Sequence, residues 1–459
     1  MDEADNDHKN ENFEIQPNDI YDEESLPTPL DRKNSLLDTY KEIEDKFCDP
    51  DNPVIITMES VIAAAFANRG GIIKTPCTKS QMSNNLGMHL YFKKEFLQIT
   101  GSFKERGARY TLLMLSAEEK KNGVIAASAG NHALALSCHG NDLGIQVTVV
   151  MPVIAPIMKI QACQQYKANV IVKGENIAES RIFALKLAKE NNYTYINGFD
   201  HPNILAGAGT MGLEIVEQVP DMDCCIIPIG GGGLIAGSAV AIKFLMPKCK
   251  IIGVESESCA SYSAALANGK PIFTSPNSTL ADGLAVPIVG FNAFATAKNI
   301  VDEVITVSEN YIALSILRLV EQEKAVVEGA GVVGLAALLQ GKQEELKGKT
   351  VVVALCGGNI DTPALGRVIE RGLAADGRLI KFVVTVSDRP GGIADLTRLI
   401  ASIGVSIKEI FHERAWLASN MFAVKVKIIA ETKGPSHTKE LKDLLALYYD
   451  EVFWGNNVH

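Results

Sequence analysis

Between residues 52 and 374 the chain repeats one pattern, a short apolar run followed by a stretch with helical spacing. The runs fall at 124–128, 147–151, 170–172, 225–229, 251–254 and 350–354. None alternates strictly between apolar and polar side chains, so each reads as a strand covered on both faces. Residues 178–190 and 234–244 are among the helical stretches between them. Strand–helix–strand succession of this kind builds a doubly wound parallel sheet, because a parallel strand can only return through a crossover. In such folds the reactive groups stand beyond the carboxyl ends of the strands. The residues just past the end of each run are therefore the ones to read for chemistry.

After about residue 377 the texture changes. Residues 382–386 read as a strand, Ser387 to Gly392 as a turn, 393–403 as an amphipathic helix and 405–412 as a second strand. Residues 422–428 alternate cleanly, as an antiparallel strand with one wet face should. A helix over 437–447 and a short strand near 451–454 complete a βαββαβ order, the ferredoxin-like motif. Residues 1–45 are acidic and poor in large apolar groups, a composition that predicts disorder. The expected division is a tail over 1–45, a two-subdomain α/β unit over 46–376 with its smaller part near 92–200, and a ferredoxin-like unit over 377–459.

Composition removes several classes. No apolar run approaches the roughly 20 residues of a membrane span. A net charge of -10 argues against nucleic acid as a partner. The nine cysteines form no CxxC pair, so neither a zinc site nor a disulfide framework is read, and no metal is assigned. The N-terminus resembles neither a secretory signal nor a transit peptide, and a reduced, cytoplasmic protein is expected.

Three runs end in small or glycine-rich loops: Ser128-Ala129-Gly130-Asn131-His132, Gly230-Gly231-Gly232-Gly233-Leu234, and Cys356-Gly357-Gly358-Asn359. Four glycines between a buried strand and a helix let backbone N–H groups approach an anion, and the helix start favours negative charge there. The loop reads as a phosphate cradle. A dinucleotide is one candidate, since Gly231 to Ala236 fits a loose G-x-G-x-x-A pattern and Glu255 ends the next strand. It leaves unexplained Thr100-Gly101-Ser102-Phe103-Lys104, which puts a lysine beside an aromatic ring at an expected helix start. The helix dipole and partial burial there both disfavour the ammonium form, as an amine nucleophile requires.

Together these segments resemble the fold-type II pyridoxal phosphate enzymes, specifically the threonine dehydratase and serine racemase group. The resemblance runs from about Val61 to Ala374 and is carried by several separated motifs in order. The C-terminal block, with Asp388-Arg389-Pro390-Gly391, is similar to an ACT regulatory domain. The resemblance implies a pyridoxal 5'-phosphate cofactor in Schiff-base linkage to Lys104. Phe103 would pack on its ring, Asn131 would bond the ring hydroxyl, Gly230 to Gly233 with Leu234 would hold its phosphate, and Cys356 would face the pyridine nitrogen. Ser128, Ala129 and Gly130 would line the substrate carboxylate, with His132 and Arg181 as further candidates. It implies deamination of L-threonine, and of L-serine, by an ammonia-lyase. An amino-acid effector at the ACT-like block and a homodimer or homotetramer are the expected partners.

Departures from the group's pattern narrow this reading. Racemases of the group carry a serine acid/base where this chain has Ala129, and a methyl group cannot move a proton. Serine racemase with side elimination is thus the first rival. A nicotinamide oxidoreductase and a catalytically silent amino-acid sensor are the others. Glu255 matches one carboxylate of the racemases' divalent-metal site, but Ser261 stands at the expected second. Glu328 is a candidate to help hold a monovalent cation. Leu134 and Ala208 replace usual glutamines, leaving open whether the pocket is wider, drier or unaffected.

Overall fold

The computed structural model describes residues 45–341, 343–413 and 422–455. The acidic segment expected to be disordered therefore lies outside the described residues, Asp45 excepted. In chain order the strands are β1 (Cys77–Lys79), β2 (His89–Lys94), β3 (Val124–Ala127), β4 (Val147–Met151), β5 (Asn169–Val172), β6 (Thr194–Tyr195), β7 (Cys224–Pro228), β8 (Lys250–Ser256), β9 (Glu303–Val307), β10 (Thr350–Leu355), β11 (Leu379–Ser387), β12 (Ser406–Glu413), β13 (Ala423–Glu431) and β14 (Val452–Trp454). Each apolar run singled out in the sequence is one of these strands. Four strands lie outside that set: β1, β2, β6 and β9. Of these, β1 is three residues long and β6 two, too short for periodicity to register.

The strands form three sheets. The largest has the order β1-β2-β10-β7-β8-β9, parallel throughout except for β1, which runs antiparallel to β2. A smaller, wholly parallel sheet has the order β5-β4-β3-β6. Every residue of β4, β7 and β10 is buried, which explains their unbroken apolar sequence. Two hydrophobic cores flank the large sheet. One includes Ile227, Ile235 and Val352, the other Ile226, Val333 and Val353, successive residues of β7 and β10 pointing to opposite faces. Leu134 and Ala208 are both buried in apolar cores.

The third sheet is antiparallel, in the order β12-β13-β11-β14. With helices Gly392–Ser402 and Pro435–Ala446 it makes the βαββαβ arrangement expected. Along β13, Val424, Val426, Ile428 and Ala430 are buried while the residues between them are only partly so. The buried set packs with Leu396, Ile400, Leu441 and Leu445 of the two helices. Among the described residues no helix is long and apolar enough to cross a membrane.

Candidate active site

In the large sheet, β2, β10 and β7 are neighbours with their carboxyl ends together. The chain leaving β2 reaches the turn before Lys104, the chain leaving β10 is the Cys356 loop, and the chain leaving β7 is the tetraglycine loop. Two of these segments are stitched to each other. Phe103 N donates to Cys356 O at 3.0 Å, Gly358 N to Gly101 O at 2.9 Å, and Asn359 Nδ2 to Thr100 O at 2.7 Å. A backbone bridge between Ser102 and Gly357 completes the seam.

Lys104 opens helix Lys104–Met114. Its Nζ donates to Gly198 O and stands 5.2 Å from the centroid of the Phe103 ring. Burial pulls its ammonium down to about 8, against a smaller opposing pull from Cys356 and Glu328. The helix carrying it is held by ionic contacts two residues further on. Arg106, wholly buried, pairs bidentately with Glu95 at 2.7 and 2.8 Å and with Glu214 at the same distances. Lys93 also donates to Glu214, and to Thr75 O at 2.7 Å. Glu105 meets His139 Nε2 at 3.1 Å and also accepts from Thr100 N.

The tetraglycine loop leads from β7 into helix Gly233–Leu245, whose first N–H groups have no intrahelical acceptor. Gly232 has a φ of 88°, where L side chains are strained. The loop needs glycine for a reason the sequence did not disclose. A Cβ on Gly231 would lie 2.2 Å from the Phe199 ring, and one on Gly233 would lie 2.2 Å from Phe199 O. Leu234 is buried in the core beneath the loop.

On the smaller sheet, β3 leads into Ser128 to His132, and helix Asn131–Leu143 begins within that loop. Gly130 N donates to Ser128 Oγ at 3.3 Å, and Ala129 packs on the small sheet's core. Asn131 Nδ2 donates to Glu328 Oε1 at 2.6 Å while its Oδ1 accepts from Asn359 Nδ2 at 2.8 Å. His132 is buried and pushed down to about 3, chiefly by burial and then by Lys104. Its ring is therefore neutral, with Nε2–H donating to Ile196 O at 3.2 Å. Cys356 is buried, its thiol raised well above the usual range by burial, and Sγ lies 3.6 Å from Ala354 O.

Two residues join these parts that motif reading missed. Gly198 accepts from Lys104 and packs so closely on His132 that a Cβ there would come within 2.6 Å of its ring, while Phe199 backs the glycine loop. Both lie just beyond the two-residue β6. Their one sequence signal is Asn197-Gly198-Phe199-Asp200 beyond an apolar Tyr195-Ile196. Arg181 is not gathered with the loops by any of these contacts; its Nη2 is 3.7 Å from Asp45 Oδ2. Glu255 is fully buried and accepts from Tyr262 N, Ser263 N and Ser263 Oγ at 2.6–2.9 Å. A carboxylate committed to a helix start is not placed to take a ribose hydroxyl. Among the described residues no group of His, Cys, Asp and Glu could hold a metal ion.

A buried amine of depressed basicity, a glycine-lined helix start and a neutral thiol at the ends of adjoining strands suit an aldehyde cofactor that carries a phosphate and an aromatic ring. The chain belongs to the pyridoxal-phosphate dependent enzymes, whose family profile matches residues 69–357. It is 39% identical over 392 residues to an L-threonine ammonia-lyase of Thermotoga maritima, covering 85% of this chain and 97% of that protein. Among solved structures it resembles the processed form of threonine deaminase isoform 2 from Solanum lycopersicum. That likeness has a TM-score of 0.66 at 33% identity and covers 72% of this chain and 97% of the other. Maize serine racemase is also similar, at a TM-score of 0.65 and 30% identity, covering 70% and 99%.

Proposed function

We infer that this protein is a pyridoxal-phosphate dependent ammonia-lyase that converts L-threonine to 2-oxobutanoate and ammonia, and L-serine to pyruvate and ammonia. The observation that carries the reading is Lys104, an amine drawn down to about 8 by burial at the head of a helix tied by Arg106 to Glu95 and Glu214. Bound pyridoxal phosphate supplies an electron sink conjugated to the substrate's amino nitrogen. The Gly230 to Leu234 loop would hold its phosphate, Phe103 would pack on its ring, Asn131 would bond its ring oxygen and Cys356 would face its nitrogen.

The chain's own residues then divide the work. Ser128, with the N–H groups of Ala129 and Gly130, takes the substrate carboxylate. Lys104, whose amine burial makes available from about pH 8 rather than above 10, removes the α-hydrogen as general base. The Cys356 thiol stays neutral and is a weak donor, so no full proton is delivered where an aspartic acid would deliver one. That favours loss of the β-hydroxyl as water over return of the α-proton. Water then replaces the released amino group, so the net change is amino acid to 2-oxo acid and ammonia. Ala129 offers no acid or base on the far face, which disfavours racemisation. His132, buried and neutral, packs against Gly198; Arg181 is a further candidate for the carboxylate, with its Nη2 3.7 Å from Asp45 Oδ2.

We also propose that residues 46–376 are the catalytic unit and 377–459 an ACT-type module that binds an amino-acid effector and pairs subunits in a dimer or tetramer. We also propose a reducing, cytoplasmic setting. The test is 2-oxo acid release from L-threonine by the protein with pyridoxal phosphate, beside Lys104→Ala. Release and a visible absorption band in the parent, both lost in the variant, are expected. A band without release would keep the cofactor and reject the substrate; D-serine formation would turn the reading to racemase.

A further inference from the structure

Glu328 stands at the start of helix Gly329–Leu339 but does not cap that helix with its side chain. Its carboxyl turns the other way, to accept from Asn131 Nδ2 at 2.6 Å. Gly357 clears the space for this contact: a Cβ there would be 2.3 Å from Glu328 Oε1 and 3.1 Å from Asn131 Nδ2. A backbone bond from Glu328 N to Gly357 O, at 2.9 Å, fixes the two segments together. A carboxyl only 8% exposed and bonded to an amide costs solvation that a neutral residue would not. No helix start needs that cost.

The arrangement decides which way the Asn131 amide points. Asn359 Nδ2 donates to its oxygen, so its nitrogen must face Glu328; the reversed amide would set oxygen against carboxylate. One N–H of Asn131 is thereby committed to Glu328 and the other is left for a ligand. Donation to an ionised carboxylate also changes the electron density on the amide nitrogen, because bonds in a chain polarise one another. Four titratable groups face Glu328 from the packed elements. These are Asp282 from the turn Asp282–Leu284, Lys159 from helix Ile157–Gln165, Lys104, and Cys356. Lys159 Nζ and Asp282 Oδ2 are themselves 4.0 Å apart.

We propose that Glu328 is a positioning residue of this site, acting through Asn131 to fix the orientation and donor strength of the amide that meets the cofactor ring. The inference rests on the reading of Asn131 as the ring-oxygen donor given under the proposed function. Burial, with Asp282 adding to it, holds Glu328 up to about 7, so its charge changes within the working range. The amide then becomes a sensor of that charge, and the ring oxygen feels it one bond further on.

The test compares the parent holoenzyme with Glu328→Gln, which keeps an acceptor but cannot ionise, and Glu328→Ala, which removes it. Two readouts are needed. One is the visible absorption of bound pyridoxal phosphate from pH 5.5 to 9, with its dissociation constant. The other is the Asn131 side-chain amide resonance in the cofactor-free, nitrogen-15-asparagine-labelled protein. The parent band and amide should both shift with a midpoint near 7, and Glu328→Gln should lose both transitions while keeping cofactor affinity within about threefold. Glu328→Ala should bind the cofactor at least about tenfold more weakly, the loss expected for one hydrogen bond to a charged group. An Asn131 resonance that does not titrate, or a Glu328→Gln protein whose band and amide behave as the parent's do, would overturn the proposal. A parent with no Lys104-dependent band would instead overturn the cofactor reading, and the cofactor-free amide titration would still decide the role of Glu328.

Discussion

Lys104 and Asp200 show the same force acting with opposite sign. Burial disfavours the charged form, so it lowers an amine and raises a carboxyl. For Lys104, drawn to about 8, the neutral amine becomes available two to three pH units below an exposed lysine. The rate at which the cofactor-free protein develops its visible band on mixing with pyridoxal phosphate should climb from pH 6.5 and level off just above 8. A rate still rising at pH 10, measured by stopped flow, would contradict the burial argument. Asp200 is raised to about 7 by burial although it accepts from Phe291 N and Ala293 N. Its folded value lies above its ordinary 3.8, so the stability it contributes is complete below about 3.8 and lost as pH rises through 7. The melting temperature of Asp200→Asn relative to the parent should therefore become more favourable between pH 5 and 8. A difference that stays flat over that range would mean Asp200 is ionised throughout.

Among the elements, helix Lys104–Met114 is the one whose placement decides the site. It is tied by Arg106 to Glu95, just beyond β2, and to Glu214 on helix Pro202–Gln218. Breaking a buried pair strands its partners as uncompensated charge, so Arg106→Met should cost about 3–5 kcal/mol in urea unfolding. Arg106→Lys should be nearly as harmful, because an ammonium cannot satisfy two carboxylates bidentately. A loss under about 1 kcal/mol in either variant would show the cluster to be solvated. The glycine loop is an element of a different sort, specified by contact with Phe199. Gly231→Ala should destabilise the fold by about 1–3 kcal/mol, the usual penalty for overpacking, and lower the thermal midpoint of cofactor-free protein.

The strands that carry the central sheets were legible because β4, β7 and β10 are covered on both faces and so are apolar without a break. The ferredoxin-like order was legible for the opposite reason, the alternation along β13. The loops after β3, β7 and β10 stood out by glycine and small polar residues at strand ends. What stayed hidden depends on contacts between distant residues. Nothing local distinguishes Gly198 from any turn glycine until Lys104 is brought to its carbonyl, 94 residues away in sequence. Glu328 was read only as a candidate to help hold a monovalent cation, and its bond to Asn131 spans 197 positions. The ion pair between Arg181 and Asp45 spans the chain in the same way.

At the scale of the molecule, the Cys356 loop runs directly through helix Thr362–Ala375 into β11, so the proposed catalytic and effector-binding parts share a continuous stretch of chain. The junction is a cluster of four charges. Arg318 and Arg378 each contact Asp376 and Glu321, at 2.9–3.2 Å for the longer pairs. Partly exposed pairs of this kind contribute little stability each, about 0–1 kcal/mol, and are screened by salt. A chain ended at residue 376 should keep 2-oxo acid release within about threefold and lose any response to added amino acids. Loss of all activity on truncation, with the protein still folded by circular dichroism, would show the C-terminal sheet to be part of the catalytic unit.

The strand order of the large sheet has a consequence for how this protein is made. β10 lies between β2 and β7, yet it is synthesised after both, and the pairing of Thr350 with His89 closes a very long stretch of chain. The small sheet is complete once Tyr195 has emerged, whereas β2 and β7 keep bare edges until the last third of the chain is reached. At about 5–20 residues per second, the ribosome imposes a wait on the order of tens of seconds between Lys104 and the thiol that neighbours it. During that wait the nascent chain carries two unpaired strand edges, the surfaces most prone to wrong pairing. Yield in the cell should therefore respond to chaperone supply and translation speed over the final third of the message, even where the finished enzyme is stable.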